Sequence, residues 1–245
     1  MVFQPIHRLG DGERVGFEAL ARFPEDRLPA GAAAAGLVDE SGLGFSPDVW
    51  FAHADLQDLG VQLEVAAITA ALQRLADVPA GHYVAVNAGP ETIVSGQLAT
   101  AMAGTDMAHV VVELTEHLAI EDYAAVRSAV KGLQDEHSAS VCTKIPGIAA
   151  DDVGAGAASL LHLLELADLL DFCKLDIALT RGIDTDEVRQ ALAVGLVGMG
   201  RTAGFRIVAE GIETQAQLET LRGLGVYAGQ GYHLGRPGPL PKGAP

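Results

Sequence analysis

The stretch VGFEALARF, residues 15–23, is an apolar, strand-like run broken by one carboxylate, Glu18, and closed by an arginine, Arg22. Burying such a charge is costly unless it is paired or bound to a metal. One instance is explained by a side chain that faces outward at a strand end. The chain, however, repeats it. Asn87 closes HYVAVN (82–87), Glu113 and Glu116 lie in VVVELTE (110–116), and Asp151 and Asp152 close GIAADD (147–152). Lys174 and Asp176 lie in LDFCKLD (170–176), Glu210 in RIVAEG (206–211) and Gln230 in VYAGQGY (226–232).

With VFQPI (2–6), these runs make eight candidate strands. Helical periodicity fills most of the later gaps, as in residues 63–76 and 186–203. Only the turn-like HRLGDGER (7–14) separates the first two strands, so they form a hairpin. This order predicts an α/β fold of the (β/α)8 TIM type, whose usual length is about 250 residues. The main structural rival is a doubly wound open sheet, which no GxGxxG after a strand supports in a dinucleotide-binding form. In a barrel the strand C-termini open onto one face where catalytic groups collect. Glu18 then belongs to a polar ring at the barrel mouth.

Composition narrows the partners. The net charge of −16 argues against a duplex-coating protein, which needs a basic surface. It leaves room for a small anionic ligand, because bound divalent metals reverse the local field. Aromatic residues make up only 5%, so Ala, Val, Leu and Ile must fill the core. Cys142 and Cys173 are too few for a disulfide framework and form no CxxC pair, so a reduced, cytoplasmic setting is expected. No apolar run approaches a membrane span. The Pro/Gly-rich RPGPLPKGAP (236–245) reads as an ending or a linker.

Clustered carboxylates repel one another and are held together by cations. Oxygen donors suit Mg²⁺ or Mn²⁺, and the lack of paired His or Cys disfavours structural zinc. Two such ions clamp a phosphate and lower the pKa of a water, a lysine neutralises growing charge, and an arginine grips a second phosphate. The residues alone point to metal-dependent chemistry on a phosphorylated or otherwise anionic substrate. They do not separate phosphodiester hydrolysis from enolate chemistry.

Taken in order, FQPI, EALAR, VN, ELTE, DDVGAG, KLD, AEGIET and GQGYHLGRP resemble the EAL domains, a family of cyclic-di-GMP phosphodiesterases. The resemblance covers nearly the whole chain, with a domain at 1–238 and a tail at 239–245. It implies a barrel whose first strand runs against the others, and hydrolysis of cyclic-di-GMP to linear pGpG. It places metal ligands for two Mg²⁺ or Mn²⁺ ions on Glu18, Asn87, Glu113, Asp151 and Asp152. Lys174 is then next to the attacking water or the phosphate, Glu210 is a ligand or base-like partner of that water, and Gln230 supports the network. Gln4 and Arg22 match positions that hold the guanine-phosphate skeleton. Glu116 anchors the loop after the paired aspartates, a loop tied to dimerisation. A homodimer or an attached regulatory domain fits the same resemblance. The rival from another class is a binding module that senses cyclic-di-GMP without turnover, and a more distant one is another metal-dependent barrel enzyme.

Three departures from the family pattern stand out. Residues 26–54 are longer than usual, with an Ala/Gly-rich middle that reads as a tolerated surface insertion rather than a lid. Residues 137–152 approach the paired aspartates through Pro146, so that strand should start only at or after the proline, with its register open to slippage. The loop DDVGAGAASL (151–160) has Val153, Ala155 and Ala157 where the family carries larger side chains, which is expected to loosen it. Among the remaining residues, Trp50 and Phe51 are expected to pack a helix rather than stack on guanine, and Cys173 to be a small core residue. His233 is placed in an outer shell or at the surface, and Asp176 at a rim cation or a dimer contact. Glu213 is expected to favour a helix dipole.

Overall fold

The computed structural model describes residues 1–23, 47–115, 120, 122–137, 147–153 and 157–241. Eight strands close into a barrel in chain order, which excludes the open sheet. They are β1 (Val2–Arg8), β2 (Arg14–Leu20), β3 (Tyr83–Ala88), β4 (Val110–Leu114), β5 (Gly147–Val153), β6 (Phe172–Leu175), β7 (Arg206–Ala209) and β8 (Ala228–Gly229). Around them lie α1 (Pro47–Asp55), α2 (Gly60–Leu72), α3 (Pro90–Val94), α4 (Gln97–Met102) and α5 (Tyr123–His137). The circuit continues with α6 (Ala157–Leu166), α7 (Ile177–Thr180), α8 (Glu187–Ala203) and α9 (Gln215–Gly223).

β1 is antiparallel to both neighbours, β2 and β8, while β2 to β8 pair in parallel. The cause is local. The turn after β1 is too short for a crossover helix, which parallel pairing requires. Arg8 N–H donates to Glu13 O at 2.8 Å, and Gly12 takes φ +79° to close the reversal. Pro5, which has no N–H, falls between the stretch of β1 that meets β8 and the bridge from Phe3 to Gly238. Leu240, inside the stretch that reads as a tail, is buried.

Helix ends follow sequence signals. Asp186 caps α8 by accepting from Val188 N–H and Arg189 N–H, and Gly204 ends it at φ +96°. Thr214 and Gln217 form a capping box at the start of α9.

The barrel interior is built in layers, because side chains two residues apart share a face. Ile6, Ala85, Val111, Ala149, Phe172, Val208 and Ala228 form one apolar plug, drawn from seven strands. Below it, Arg206 stacks over the rings of Phe172 and Tyr227, and Tyr83 stacks on Phe172. Gly16 makes room for that seal, since a Cβ there would lie 2.8 Å from the Tyr83 ring. The opposite strand faces, including Val84, Val86, Val110 and Val112, join Ile68, Ala71, Val126 and Val130 from α2 and α5 in the larger outer core.

The chain after β8 is tied back tightly. Ile212 N–H donates to Gln230 O at 3.0 Å, and His233 N–H donates to Ile212 O at 3.0 Å. Gly231 between them has φ +154°, and a Cβ there would lie 2.2 Å from backbone atoms of Ile212. Gly231→Ala is therefore expected to cost about 3 kcal/mol. A urea titration should show a lower midpoint with an unchanged slope; an unchanged midpoint would show that this close approach is not needed.

Candidate functional site

Two residues beyond each member of the apolar plug, toward the barrel mouth, the inward-facing side chain is polar. Ala85 is followed by Asn87, Val111 by Glu113, Ala149 by Asp151, Phe172 by Lys174, Val208 by Glu210 and Ala228 by Gln230. On β2 the same step leads from Gly16 to Glu18. On β1, which runs the other way, it leads back from Ile6 to Gln4, the register partner of Glu18. The eight strands thus supply one polar residue each to a ring above the plug.

Lys174 occupies its centre and is almost fully buried, at 1% exposure. Its Nζ lies 2.8 Å from Glu113 Oε2, 2.8 Å from Glu210 Oε1, 3.0 Å from Asp151 Oδ1 and 3.6 Å from Glu18 Oε1. Asn87 Nδ2 donates to Glu18 Oε1 at 3.1 Å. Gln230 Nε2 donates to Glu18 Oε2 at 2.6 Å and to Glu210 Oε1 at 3.0 Å.

Four carboxylates share one ammonium, and their protonation is skewed accordingly. Burial opposes the Lys174 charge, yet Asp151, Glu113, Glu18 and Glu210 together raise its pKa well above the ordinary value. Burial would also raise Glu18, but the Lys174 charge and the amide donors Gln230 and Asn87 hold it below the usual range. Glu113 goes the other way: burial, with the charges of Glu18 and Asp151, lifts it well above that range despite Lys174. Glu210 is pushed up to about 8, mainly by burial and then by the charges of Asp151 and Glu18, which outweigh Lys174.

Asp152 reaches the site by a different route. In a regular strand it would face away from the neighbouring Asp151. Here its φ is +52°, and the β5–β6 register shifts between Ala150 and Val153, a bulge that breaks the alternation. One oxygen each of Asp151, Asp152 and Glu210 consequently lie within 4.8 Å of one another. The described part of the strand runs Gly147–Val153, Pro146 lies outside the described residues, and the bulge sets both aspartates.

The donor set fits a divalent cation. Among the described residues, Asn87 Oδ1 and Gln230 Oε1 are buried oxygens without a hydrogen-bond partner, and Asp151 Oδ1 lies 3.0 Å from Lys174 Nζ. Hard oxygen donors of this kind, in excess of the available positive charge, are what Mg²⁺, Mn²⁺ or Ca²⁺ take.

Two cavities, each of about 370 Å³, meet at Glu18. The first is lined by Asn87, Asp151, Arg22, Asp48, Phe51 and Glu64 among others. The second is lined by Gln4, Glu210, Gln230, Ile177, Arg181 and Tyr232 among others. Gln4 and Arg22 therefore stand in different cavities. Gln4 Nε2 makes a long contact of 3.4 Å to Gly235 O, and Arg22 Nη1 donates to Ala21 O at 2.7 Å. Glu116, Cys142, residues 24–46 and the loop 154–156 lie outside the described residues.

The secondary expectations divide. Trp50 stacks on Phe23 with centroids 4.9 Å apart, as a packing residue does, whereas Phe51 also lines the first cavity. Asp176 caps α7, its Oδ1 accepting from Ala178 N–H at 2.6 Å. Thr214 caps α9 with Glu213 directly before it, and exposed His233 contacts Gln215. Cys173 is fully buried. Arg181 and Tyr232 line the second cavity without having stood out as site residues, because neither interrupts an apolar strand.

A closed eight-stranded barrel with an oxygen-donor ring for divalent cations at its mouth defines a metal-site barrel of the (β/α)8 kind. A family model for the EAL domain matches residues 1–237, and the chain belongs to that family. An uncharacterized signaling protein of Caulobacter vibrioides is 30% identical over 97% of this chain and 27% of that protein. MucR of Pseudomonas aeruginosa, named a bifunctional diguanylate cyclase/cyclic di-GMP phosphodiesterase, is 37% identical over 54% of this chain and 18% of its own length. The chain thus spans less than a third of either relative. Among solved structures, the PaMucR phosphodiesterase in complex with c-di-GMP superposes with a TM-score of 0.73 at 28% identity, covering 97% of this chain and 91% of that one. Klebsiella pneumoniae BlrP1, solved with manganese and cyclic di-GMP, gives 0.73 at 25% identity over 97% of this chain and 55% of that one. BlrP1 has also been solved with calcium.

The raised Glu210 carboxyl has a sign-definite effect on stability. A carboxyl whose pKa rises from 4.5 to about 8 on folding stabilises the fold fully below pH 4.5, and that contribution is lost as pH climbs through 8. Metal-free Glu210→Gln is expected to lose less stability than the wild type between about pH 5 and pH 8, the window between the two pKa values. Urea titrations in a chelator check this, and parallel pH profiles would refute it.

Proposed function

We propose that the chain, with 1–238 as its domain and 239–245 as its tail, is a metal-dependent phosphodiesterase. It hydrolyses one phosphodiester of cyclic-di-GMP to linear pGpG and so lowers that second messenger. The observation that carries this reading is the ring itself: every strand supplies its polar residue, and the charge excess and the unpartnered amide oxygens call for cations. The ligands are Glu18, Asn87, Glu113, Asp151 and Asp152, holding two ions, Mg²⁺ or Mn²⁺. When bound, such ions polarise a phosphoryl oxygen and lower the pKa of a water.

The protein's own groups do the rest. A cyclic dinucleotide has two equivalent halves, which suits two cavities that meet at Glu18. Arg22 in the first cavity and Gln4 in the second would hold the guanine-phosphate skeleton, Arg22 as a charged fork for phosphate. Lys174 keeps the carboxylate oxygens at fixed spacing and offers its ammonium to the attacking water or the phosphate. Glu210 is the partly exposed acid of the set, at 17% side-chain exposure. With its pKa near 8 before metal binds, it is able to exchange a proton near neutrality. Gln230 links Glu210 to Glu18 and keeps the two in step. Glu116 is assigned the anchoring of the loop after Asp152. Among the described residues no helix is long and apolar enough to cross a membrane. We place the activity in the cytoplasm, within a homodimer or beneath a regulatory domain, and not on duplex nucleic acid.

The test is turnover of cyclic-di-GMP by the purified chain with Mg²⁺ or Mn²⁺, with pGpG followed by chromatography. Glu18→Ala is expected to lower the rate by more than about a hundredfold, since it removes a ligand outright. A chelator should abolish the rate and added Mn²⁺ should restore it. Tight binding of cyclic-di-GMP with no pGpG would instead make the chain a receptor.

A further inference from the structure

Glu64, on α2, stands outside the ring but lines the same cavity as Glu18, Asn87 and Asp151. Its Oε2 accepts from Gly89 N–H at 2.8 Å and from Thr92 Oγ1 at 2.5 Å. Gly89 is the turn residue between β3 and α3, and Thr92 lies in the first turn of α3. Gly89, the residue before α3, has no side chain to cap the helix, and Thr92 is almost fully buried. The carboxylate from α2 thus supplies what the turn lacks, an acceptor for an otherwise unpaired backbone N–H.

The approach is close. A Cβ on residue 89 would lie 3.0 Å from Glu64 Oε1 and 3.3 Å from Oε2, so the carboxylate reaches the amide because residue 89 is glycine. Gly89 has φ −71°, which any residue adopts, so the close approach rather than the backbone angle calls for glycine. Two residues upstream is Asn87, whose Nδ2 is committed to Glu18 and whose Oδ1 is buried without a partner among the described residues. Ala88 between them is held on its other side by Thr115 N–H, which donates to Ala88 O at 3.2 Å. The end of β3 is therefore clamped between β4 and the Glu64 carboxylate.

We propose that Glu64 is a positioning residue for the cation site: by fixing Gly89 and Thr92 at the start of α3 it sets where the Asn87 carboxamide oxygen lies. The proposal rests on the assignment of Asn87 as a metal ligand. Outer partners that orient ligands typically change metal affinity by about 10- to 100-fold when removed. Glu64→Gln keeps one oxygen able to accept from both the amide and the hydroxyl, so it separates geometry from charge.

The experiment is Mn²⁺ binding, read by the loss of the free-ion electron paramagnetic resonance signal. It compares wild type, Glu64→Ala, Glu64→Gln, Thr92→Val, Asn87→Ala and the Glu64→Ala/Asn87→Ala double variant, with circular dichroism to confirm folding. Glu64→Ala is expected to weaken Mn²⁺ about tenfold, Thr92→Val less, and Glu64→Gln to stay near wild type. The double variant should bind no more weakly than Asn87→Ala alone, because both changes act through one ligand. Should Glu64→Ala fail to fold, Thr92→Val and Glu64→Gln carry the comparison. Wild-type affinity in folded Glu64→Ala, or in Thr92→Val if that variant must stand in, would overturn the proposal while Asn87→Ala still binds weakly. A fall in Glu64→Gln as large as in Glu64→Ala would make Glu64 itself a ligand and also overturn it. Unchanged binding in Asn87→Ala would remove the ligand assignment beneath it.

Discussion

Everything at the barrel mouth is organised by one buried ammonium. Lys174 Nζ sits within 3.6 Å of carboxylates from β2, β4 and β5 and from the residue just past β7. Breaking a buried charge pair costs about 3–5 kcal/mol, because the abandoned partner remains out of water. Here one cation answers four such partners, so it holds the strands' ends together while leaving the set negative. That residual charge is what a divalent cation would meet; burial lifts Glu113, while Lys174 and the amide donors hold Glu18 down. Stability without metal and readiness to take metal are in tension, and Lys174 sets the balance between them.

The ring is possible because the strand period serves two purposes. Each inward position alternates with an outward one, so a residue two steps beyond an apolar plug faces the same axis. The plug excludes water from below, which makes every charge above it count for more. The antiparallel β1 obeys the same rule in reverse and delivers Gln4 opposite Glu18.

Much of this was legible in the sequence. A polar residue closing an apolar run, repeated strand after strand, marks both the barrel and its mouth, and seven residues so marked are joined in one network. Asp152 was marked with Asp151 at the end of GIAADD, but strand alternation alone would turn it away from the site. Only the +52° φ and the bulge bring it back, and neither has a glycine or proline to announce it. Glu64 gave no signal at all. A single glutamate in a helix reads as a solvated residue, and its partners Gly89 and Thr92 lie beyond that helix in the chain. Phe51 was read as packing because an aromatic at helical spacing generally is; its position beside the first cavity depends on the angle at which α1 meets the barrel.

The closure of the barrel also has a mechanical side. β8 contributes two residues, and the seam with β1 is completed further along by the reciprocal bonds between Phe3 and Gly238. The first and last turns of the fold are thus stitched to each other, one hydrogen-bond length apart. A tether joined to either end would pull on the same short seam, and the residue next to Phe3 is Gln4. Tension along the chain would reach the mouth of the barrel through a single strand, without crossing the helical shell.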